Sequence, residues 1–556
     1  MKLTRRGFTR GAVGLALGSQ LGARAFAQSS AGTRPGLEPA LAAIRAHGEA
    51  HLAYLGIPGM TLGLTAPDGF STVLDFGYAN REARTPITPD TLFQIGSISK
   101  VMTATLLHQF AGEGRFNLSD RASDLLPALP LPAGNAISVQ HMLDHVAGLP
   151  GDEPLWLEGG QRTAYAPGAH WHYSNTAYDM LGKLAEHFGG KPLDQLLADR
   201  VFRPLGMKRS NGAIVGADRT LYAQGYEAAD PTAPWARGAP LAPGAWVDVT
   251  FAAGSVASTA QDMMPFLRTL ANAAQGRGGL GLSPEQATAF TTHAVPSDTA
   301  GMTYGNGLMH VANAGRSYLH HTGGMVAFSS SFHVDTASGV GAFASSNVSG
   351  FLEYRPRLLT RFAVDALTNA LAGKPLPDAP SLETKVAAPA AYVGRYSGPG
   401  GKFEVRPGAP LTIVADGVSA PLQPWGGELY RTTHPRFRQF ALMFTRTKGF
   451  VSHASWGSFG YLKEGRVGTI PPSNQALAKL AGRYVNDSPW VGTTVVVERG
   501  GKLWIGTDTP MTGIGDNLWR VGPESWSPER ASFANFIDGR PQTLIYSGEK
   551  FLRHDV

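Results

Sequence analysis

The sequence holds no cysteine, which removes disulfides, thiol nucleophiles and cysteine-ligated metals together. Charge is sparse as well, with Asp, Glu, Lys and Arg making up 16% of the chain, while 69 Gly and 39 Pro favour strands, turns and long loops over extended helices. No segment is long and apolar enough to cross a bilayer as a helix; the weakly hydrophobic run from Gly11 to Leu21 is too short and too rich in glycine. An excess of one charge sign is also missing from most of the chain. Of the 48 Lys and Arg, five lie in residues 1–27, where there is no acid, so 43 basic side chains face 42 acidic ones in the remainder. The remainder is close to neutral, which gives no electrostatic basis for nucleic acid or an anionic membrane as partner.

What is present begins with an address. Thr4-Arg5-Arg6-Gly7-Phe8-Thr9-Arg10 resembles the twin-arginine export pattern, and Ala25-Phe26-Ala27 offers a small-x-small cleavage site before Gln28. Residues 1–27 are therefore expected to be a signal peptide and the mature protein periplasmic. The 43% hydrophobic content of 556 residues leaves room for two to four domains with sizeable cores. Residues 35–375 read as one α+β domain. Segments 59–65 and 71–77 read as paired strands around Pro67-Asp68-Gly69, and 329–335 with 339–346 as a hairpin. Apolar residues at three-to-four spacing predict helices over 36–54, 97–112, 138–145, 174–189, 192–201, 260–274 and 351–371. Strands at both ends with helices between them predict one antiparallel sheet closed by both termini, flanked by helices and a helical subdomain.

The stretch from Phe93 to Ala104 carries the first chemistry. Ser97 and Lys100 lie three residues apart where a helix is expected to begin, so hydroxyl and amine share one face. A serine hydroxyl becomes nucleophilic when a neighbour takes its proton, and a lysine does so once burial lowers its pKa towards neutrality. Ile98, Val101, Met102, Leu106 and Leu107 supply apolar surroundings for that burial. A lone Ser-x-x-Lys arises by chance about once or twice in a chain of this size, so the reading depends on partners downstream.

Two stretches have the right chemistry. In Tyr173-Ser174-Asn175 a phenol can relay a proton and an amide can orient a lysine or a substrate carbonyl. Tyrosines are often core and asparagines often cap helices, so this triplet alone would not count. In His320-His321-Thr322-Gly323-Gly324 the glycines permit close approach of a backbone N–H to an oxyanion, and an imidazole can hold a proton or bind a carboxylate. Adjacent histidines on a strand face opposite sides, and His321 is the one expected to face the site. His141 and His145, four apart with Asp144 between them, lack the glutamate of the zinc-protease pattern, and no metal or cofactor is expected.

Taken in order, Ser97-x-x-Lys100, Tyr173-x-Asn175 and His321-Thr322-Gly323 resemble the three motifs of the serine β-lactamase and penicillin-binding-protein superfamily. The finer match is to the class C β-lactamase-like branch with its D-aminopeptidases, D-alanyl-D-alanine carboxypeptidases and esterases. Ile57-Pro58-Gly59, Pro89-Asp90-Thr91-Leu92-Phe93, Leu143-Asp144-His145-Val146-Ala147-Gly148-Leu149-Pro150, Pro204-Leu205-Gly206-Met207 and Tyr304-Gly305-Asn306-Gly307 extend the likeness over about residues 40 to 370. The resemblance implies Ser97 as acylated nucleophile, Lys100 as its activating neighbour, and Tyr173 as general base and then acid towards the leaving group. Spacing leaves open which of Lys100 and Tyr173 takes the first proton. It further implies Asn175, Thr322 and Gly323 at the substrate, and the N–H groups of Ser97 and Gly324 as the oxyanion hole, each donor worth about 3 to 4 kcal/mol. Where β-lactamases of this branch have Lys-Thr-Gly, this chain has His321-Thr322-Gly323, so the permanent charge that binds a carboxylate is lost at neutral pH and efficient β-lactam hydrolysis is not expected.

After a linker over 376–388 the chain repeats itself. Val393-Gly394-Arg395-Tyr396 recurs as Ala481-Gly482-Arg483-Tyr484, Glu428-Leu429-Tyr430-Arg431 as Asn517-Leu518-Trp519-Arg520, and Tyr461-Leu462-Lys463 as Phe551-Leu552-Arg553, at offsets of 88, 89 and 90. Two small antiparallel barrels are expected, over 389–468 and 475–556. This layout resembles the D-aminopeptidases, in which a barrel loop limits access to the cleft. No stretch here is marked by composition as such a loop, and a spacer or docking role is the alternative. The expected function is a serine hydrolase that forms an acyl-enzyme with small peptides, such as D-residue-containing, cell-wall-derived or linearised cyclic ones of the microcystin kind. An esterase and a penicillin-binding-type protein without turnover are the alternatives. A small peptide or ester is the expected partner, and the oligomeric state stays open.

Overall fold

A computed structural model of the chain describes residues 34–158, 160–349, 356–466, 469–470 and 472–554. The expected signal peptide lies outside the described residues. Among them, no helix is long and apolar enough to cross a membrane.

The N-terminal part of the described chain is built on one antiparallel sheet. Its main strands are β1 (Gly59–Thr65), β2 (Ser71–Asn80), β3 (Met302–Gly305), β4 (Leu308–Asn313), β5 (Arg316–Met325), β6 (Phe328–Asp335) and β7 (Gly341–Ser346), in the spatial order β2-β1-β7-β6-β5-β4-β3. The first strand thus pairs with the last, Leu62 opposite Ala344 and Thr61 opposite Ser345. This is the sheet closed by both ends of the domain that the sequence predicts.

Two helices, α1 (Glu38–Leu55) and α5 (Pro356–Leu371), cover one face through Ile44, Leu359, Phe362 and Leu367. The other face packs on a larger apolar core shared by α2 (Ser99–Gly112), α3 (Asn175–Gly189) and α4 (Ala260–Ala274). Helix α2 has no polar face. Every residue from Ser99 to Phe110 is buried, so it runs as a central rod and its first turn lies inside the protein. The segment predicted as a helix over 138–145 stops at Leu143. His145 then takes φ 61°, a left-handed conformation in which a helix cannot continue.

The C-terminal third is all strand. Residues Gly394–Lys463 form a nine-stranded antiparallel sheet whose edge strands, Val418–Pro421 and Gln423–Gly426, are joined by Leu422 alone, so the sheet curls back on itself. The eight strands from Gly482 to Arg553 form a closed barrel. The repeat seen in the sequence reappears as repeated contacts. Buried Tyr396 donates to Tyr392 O at 2.7 Å and buried Tyr484 to Leu480 O at 2.7 Å. Lys463 lies over the Tyr396 ring and bonds Ala391 O, and Arg553 lies over the Tyr484 ring and bonds Ala481 O. Each Tyr with its basic partner closes the first strand of its barrel on the last.

Candidate active site

Ser97 sits in a single 3-10 turn, Gly96–Ile98, that leads into α2. Gly96 at φ 55° makes the turn possible, since a β-carbon there would also strike the Gly324 backbone at 2.6 Å. The turn is pinned by Ser99, whose hydroxyl donates to Gly96 O at 2.6 Å and accepts from Val256 N at 3.0 Å.

Lys100 is fully buried, and its amine has three neighbours. Nζ lies 2.6 Å from Asn175 Oδ1, 2.8 Å from Ala253 O and 3.2 Å from Ser97 Oγ. The first two accept only. A neutral amine therefore spends its two N–H bonds on them and turns its lone pair to the serine hydroxyl. Burial pulls the Lys100 pKa down to about 7, against the attraction of Asp179 and Asp152. Asp179 lies one turn beyond Asn175 on α3 and accepts from Ala253 N at 3.0 Å, so one peptide segment is gripped by both α2 and α3.

Tyr173 completes the group. The Lys100 amine lies 4.8 Å from its ring centre. Burial pushes the phenol well above its ordinary pKa, outweighing a hydrogen bond with Ser97. Its neighbour Ser174 caps α3, accepting from Ala177 N at 3.0 Å and donating to Pro150 O at 2.6 Å.

The third stretch lies on β5, alongside the 3-10 turn. A β-carbon on Gly323 would lie 1.8 Å from Ile95 O, so the strand and the turn touch through bare backbone. Gly324 is exposed, with nothing near its β-carbon position. The two histidines divide as the strand dictates. His320 stacks on His333 with ring centres 4.0 Å apart. His321 faces Tyr304 and Tyr173 and is 1% exposed. Burial, helped by the Lys100 charge, takes its pKa down to about 3. Ser97, Lys100, Tyr173, Asn175 and the His321–Gly324 strand thus converge on one place. His141 and His145 do not share a helix face. Asp144 accepts from Gln140 at 2.9 Å and contacts His293 at 2.7 Å, while His145 joins Ser174 to Tyr304.

Several residues at the site carry no sequence signal. The closed barrel sends Glu529 to the loop that leads into Tyr173, where Oε1 accepts from Gly151 N at 2.7 Å and lies 2.9 Å from His172 Nε2. Its other oxygen accepts from Ser547. Burial favours the neutral acid, yet the bonds from His172, Ser547 and Gly151 prevail and hold Glu529 below the ordinary carboxylate range. Trp526 stacks on His170 at 4.4 Å, and Trp490 meets Phe251 edge-on at 5.4 Å. Asp152 is exposed at its surface, and desolvation by the protein mass around it raises its carboxyl pKa, against Lys100 and Asn175.

The barrel therefore braces the loop on which Tyr173 stands. Glu529→Gln keeps the shape and removes the charge, which is expected to loosen residues 148–173 by about 1.5 to 3 kcal/mol. Hydrogen exchange in that segment should quicken about 10- to 100-fold while the β1–β7 sheet keeps its protection. Unchanged exchange would mean that the contact braces nothing.

The family model described as Beta-lactamase matches residues 44–365. A β-lactamase of Pseudomonas fluorescens is 35% identical over 172 residues, covering 29% of this chain and 48% of the relative. The chain thus spans about half the length of the curated relatives it matches. Among solved structures, the octameric penicillin-binding protein homologue of Pyrococcus abyssi superposes with TM-score 0.54 at 23% identity, over 76% of this chain and 100% of that one. The D-amino acid amidase of Ochrobactrum anthropi does so with TM-score 0.50 at 25% identity, over 60% of this chain and 99% of that one.

Proposed function

The chain belongs to the Beta-lactamase family, and from that premise we propose that it cleaves amide bonds of small peptides through an acyl-enzyme on Ser97. The observation that carries this reading is the Lys100 amine. Asn175 Oδ1 and Ala253 O occupy its two N–H bonds, and Ser97 Oγ lies 3.2 Å away on the remaining side.

Lys100 takes the Ser97 proton, because at neutral pH its amine is free to accept one while the Tyr173 phenol is held protonated. Ser97 Oγ attacks the substrate carbonyl carbon, and the N–H groups of Ser97 and Gly324 receive the oxyanion. Tyr173 then gives its proton to the leaving amine and recovers one from Lys100. The C–N bond breaks and the acyl group stays on Ser97. Water activated by the same pair releases it. Asn175 holds Lys100 in line and is placed to meet the substrate amide, beside Thr322 and Gly323.

The buried neutral His321 offers no cation to a terminal carboxylate, which supports peptide amides over β-lactams and C-terminal carboxylates. The fold likeness to a D-amino acid amidase supports a preference for D-residues. The twin-arginine-like leader supports action in the periplasm. Matched amides and esters of D- and L-alanine, tested on mature protein with Ser97→Ala as control, check the reading. Amide cleavage with D-preference is expected, whereas ester-only turnover would make the protein an esterase. Acylation without turnover would make it a penicillin-binding-type protein.

The pH profile tests the base directly. Lys100 acts in its neutral form, so kcat/KM is expected to fall about tenfold per pH unit below about 7 and to level above it. A profile flat down to pH 5 would remove Lys100 as the base.

A further inference from the structure

A continuous hydrogen-bonded chain joins the second motif to the third. Ser174 N–H donates to His145 Nδ1 at 3.1 Å. His145 Nε2 lies 3.2 Å from the Tyr304 hydroxyl, and that hydroxyl lies 3.2 Å from His321 Nε2. His321 Nδ1 lies 2.6 Å from Thr322 O. All three rings are buried, at 1% exposure for each histidine and 0% for Tyr304.

The two ends fix the direction of every bond. Ser174 N–H can only donate, so the neutral His145 ring carries its proton on Nε2 and gives it to Tyr304. Thr322 O can only accept, so the neutral His321 ring carries its proton on Nδ1 and leaves Nε2 as an acceptor. The Tyr304 hydroxyl therefore donates to His321. This arrangement satisfies all four contacts; the Tyr178 hydroxyl, which donates to Leu143 O at 2.9 Å, lies beside Tyr304 as a competing acceptor for the same proton.

We propose that Tyr304 is a positioning residue for substrate selection: by donating to His321 Nε2 it occupies the one free site on that ring, so the third motif shows substrate neither an N–H nor a positive charge. Peptides whose leaving part bears a carboxylate are thereby disfavoured against amides with an uncharged leaving part. This inference rests on the acyl-enzyme reading above and names the substrate class within it.

The charged and titratable groups around His321 agree with this role. Lys100 on α2 and His320 on its own strand both oppose a second proton on the ring, and Thr322 O favours one. Tyr173 and Tyr304 present rings at 6.5 and 5.8 Å. The Tyr304 ring also contacts Trp171 and His145, so it lies between the Tyr173 loop and the strand. Removal of its hydroxyl leaves His321 Nε2 buried without a donor, a state relieved when the ring takes a proton that an incoming carboxylate can accept.

The test compares D-alanine p-nitroanilide, whose leaving group is uncharged, with D-alanyl-D-alanine. In the wild type the ratio of their kcat/KM values should be high and constant between about pH 5 and pH 8. In Tyr304→Phe the ratio should fall at least about tenfold towards the acid end, and in Tyr304→Phe/His321→Gln it should again be constant. A ratio unchanged in Tyr304→Phe, or a pH dependence that survives in the double variant, overturns the proposal. A loss shared equally by both substrates overturns it as well, since Tyr304 would then be structural only. The imidazole nitrogen-15 signals read the same switch without turnover: His321 Nε2 should stay unprotonated in the wild type and take its proton at a higher pH in Tyr304→Phe, where burial and Lys100 still oppose it but the Tyr304 donor is gone. An absence of titration there counts against the proposal. Absence of any Ser97-dependent turnover of the anilide would instead count against the acyl-enzyme reading.

Discussion

Ser97→Ala is expected to lower kcat/KM by about 10⁴- to 10⁶-fold on any substrate the protein turns over, with the fold unchanged. The hydroxyl it removes is half-buried; Lys100 keeps its bonds to Asn175 and Ala253, and only the Tyr173 phenol loses a partner, so Tm should move by about 2 °C or less. Lys100→Ala should be as inactive but not as innocent. It leaves Asn175 Oδ1 and Ala253 O without their donor and opens a void in a fully buried helix turn, at a cost of about 2 to 5 kcal/mol. The two variants thus separate chemistry from packing: equal activity loss, unequal stability loss, measured by turnover and thermal melting on the same samples. Near wild-type turnover in either would remove the Ser97–Lys100 pair from the mechanism.

The order of the three motifs was legible because each is local. Ser97 and Lys100 are one turn apart, and their meeting at 3.2 Å follows from a helical start near Ser97. The sheet was legible because strand alternation and turn residues mark its two ends, and the barrels because their residues recur at a nearly fixed offset. His145 shows where this stops. Its stretch reads as helix, yet the residue adopts φ 61° because its ring packs 4.3 Å from Tyr173 and 4.7 Å from Tyr304. That conformation is set by residues 28 and 159 positions away in the chain, and no local pattern encodes it. Asp179 and Glu529 were missed for the same reason. An acid on a helix or in a barrel loop reads as solvated surface until the fold brings it to Ala253 N or Gly151 N. The direction of the His145–Tyr304–His321 chain needed both its ends, which only three-dimensional contact supplies.

Neighbouring glycines on β5 should respond in opposite ways to the same substitution. The β-carbon of Gly323→Ala would lie 1.8 Å from Ile95 O and 2.4 Å from Ser330 Oγ. Ile95 cannot retreat, because its own N–H bonds Val256 O at 3.0 Å and its carbonyl accepts from Ser330 at 2.7 Å. The strand must therefore move away from the 3-10 turn, and with it Gly324 from Ser97. The expected loss is at least about 3 kcal/mol of stability, together with about 100-fold in turnover among the molecules still folded, as the two proposed oxyanion donors lose their common focus. Gly324→Ala meets nothing within 4 Å and should melt within about 2 °C of wild type. Thermal melting of the pair decides whether strand and turn are held in contact: a stable Gly323→Ala would mean that they are not, and that the oxyanion hole draws its geometry from elsewhere.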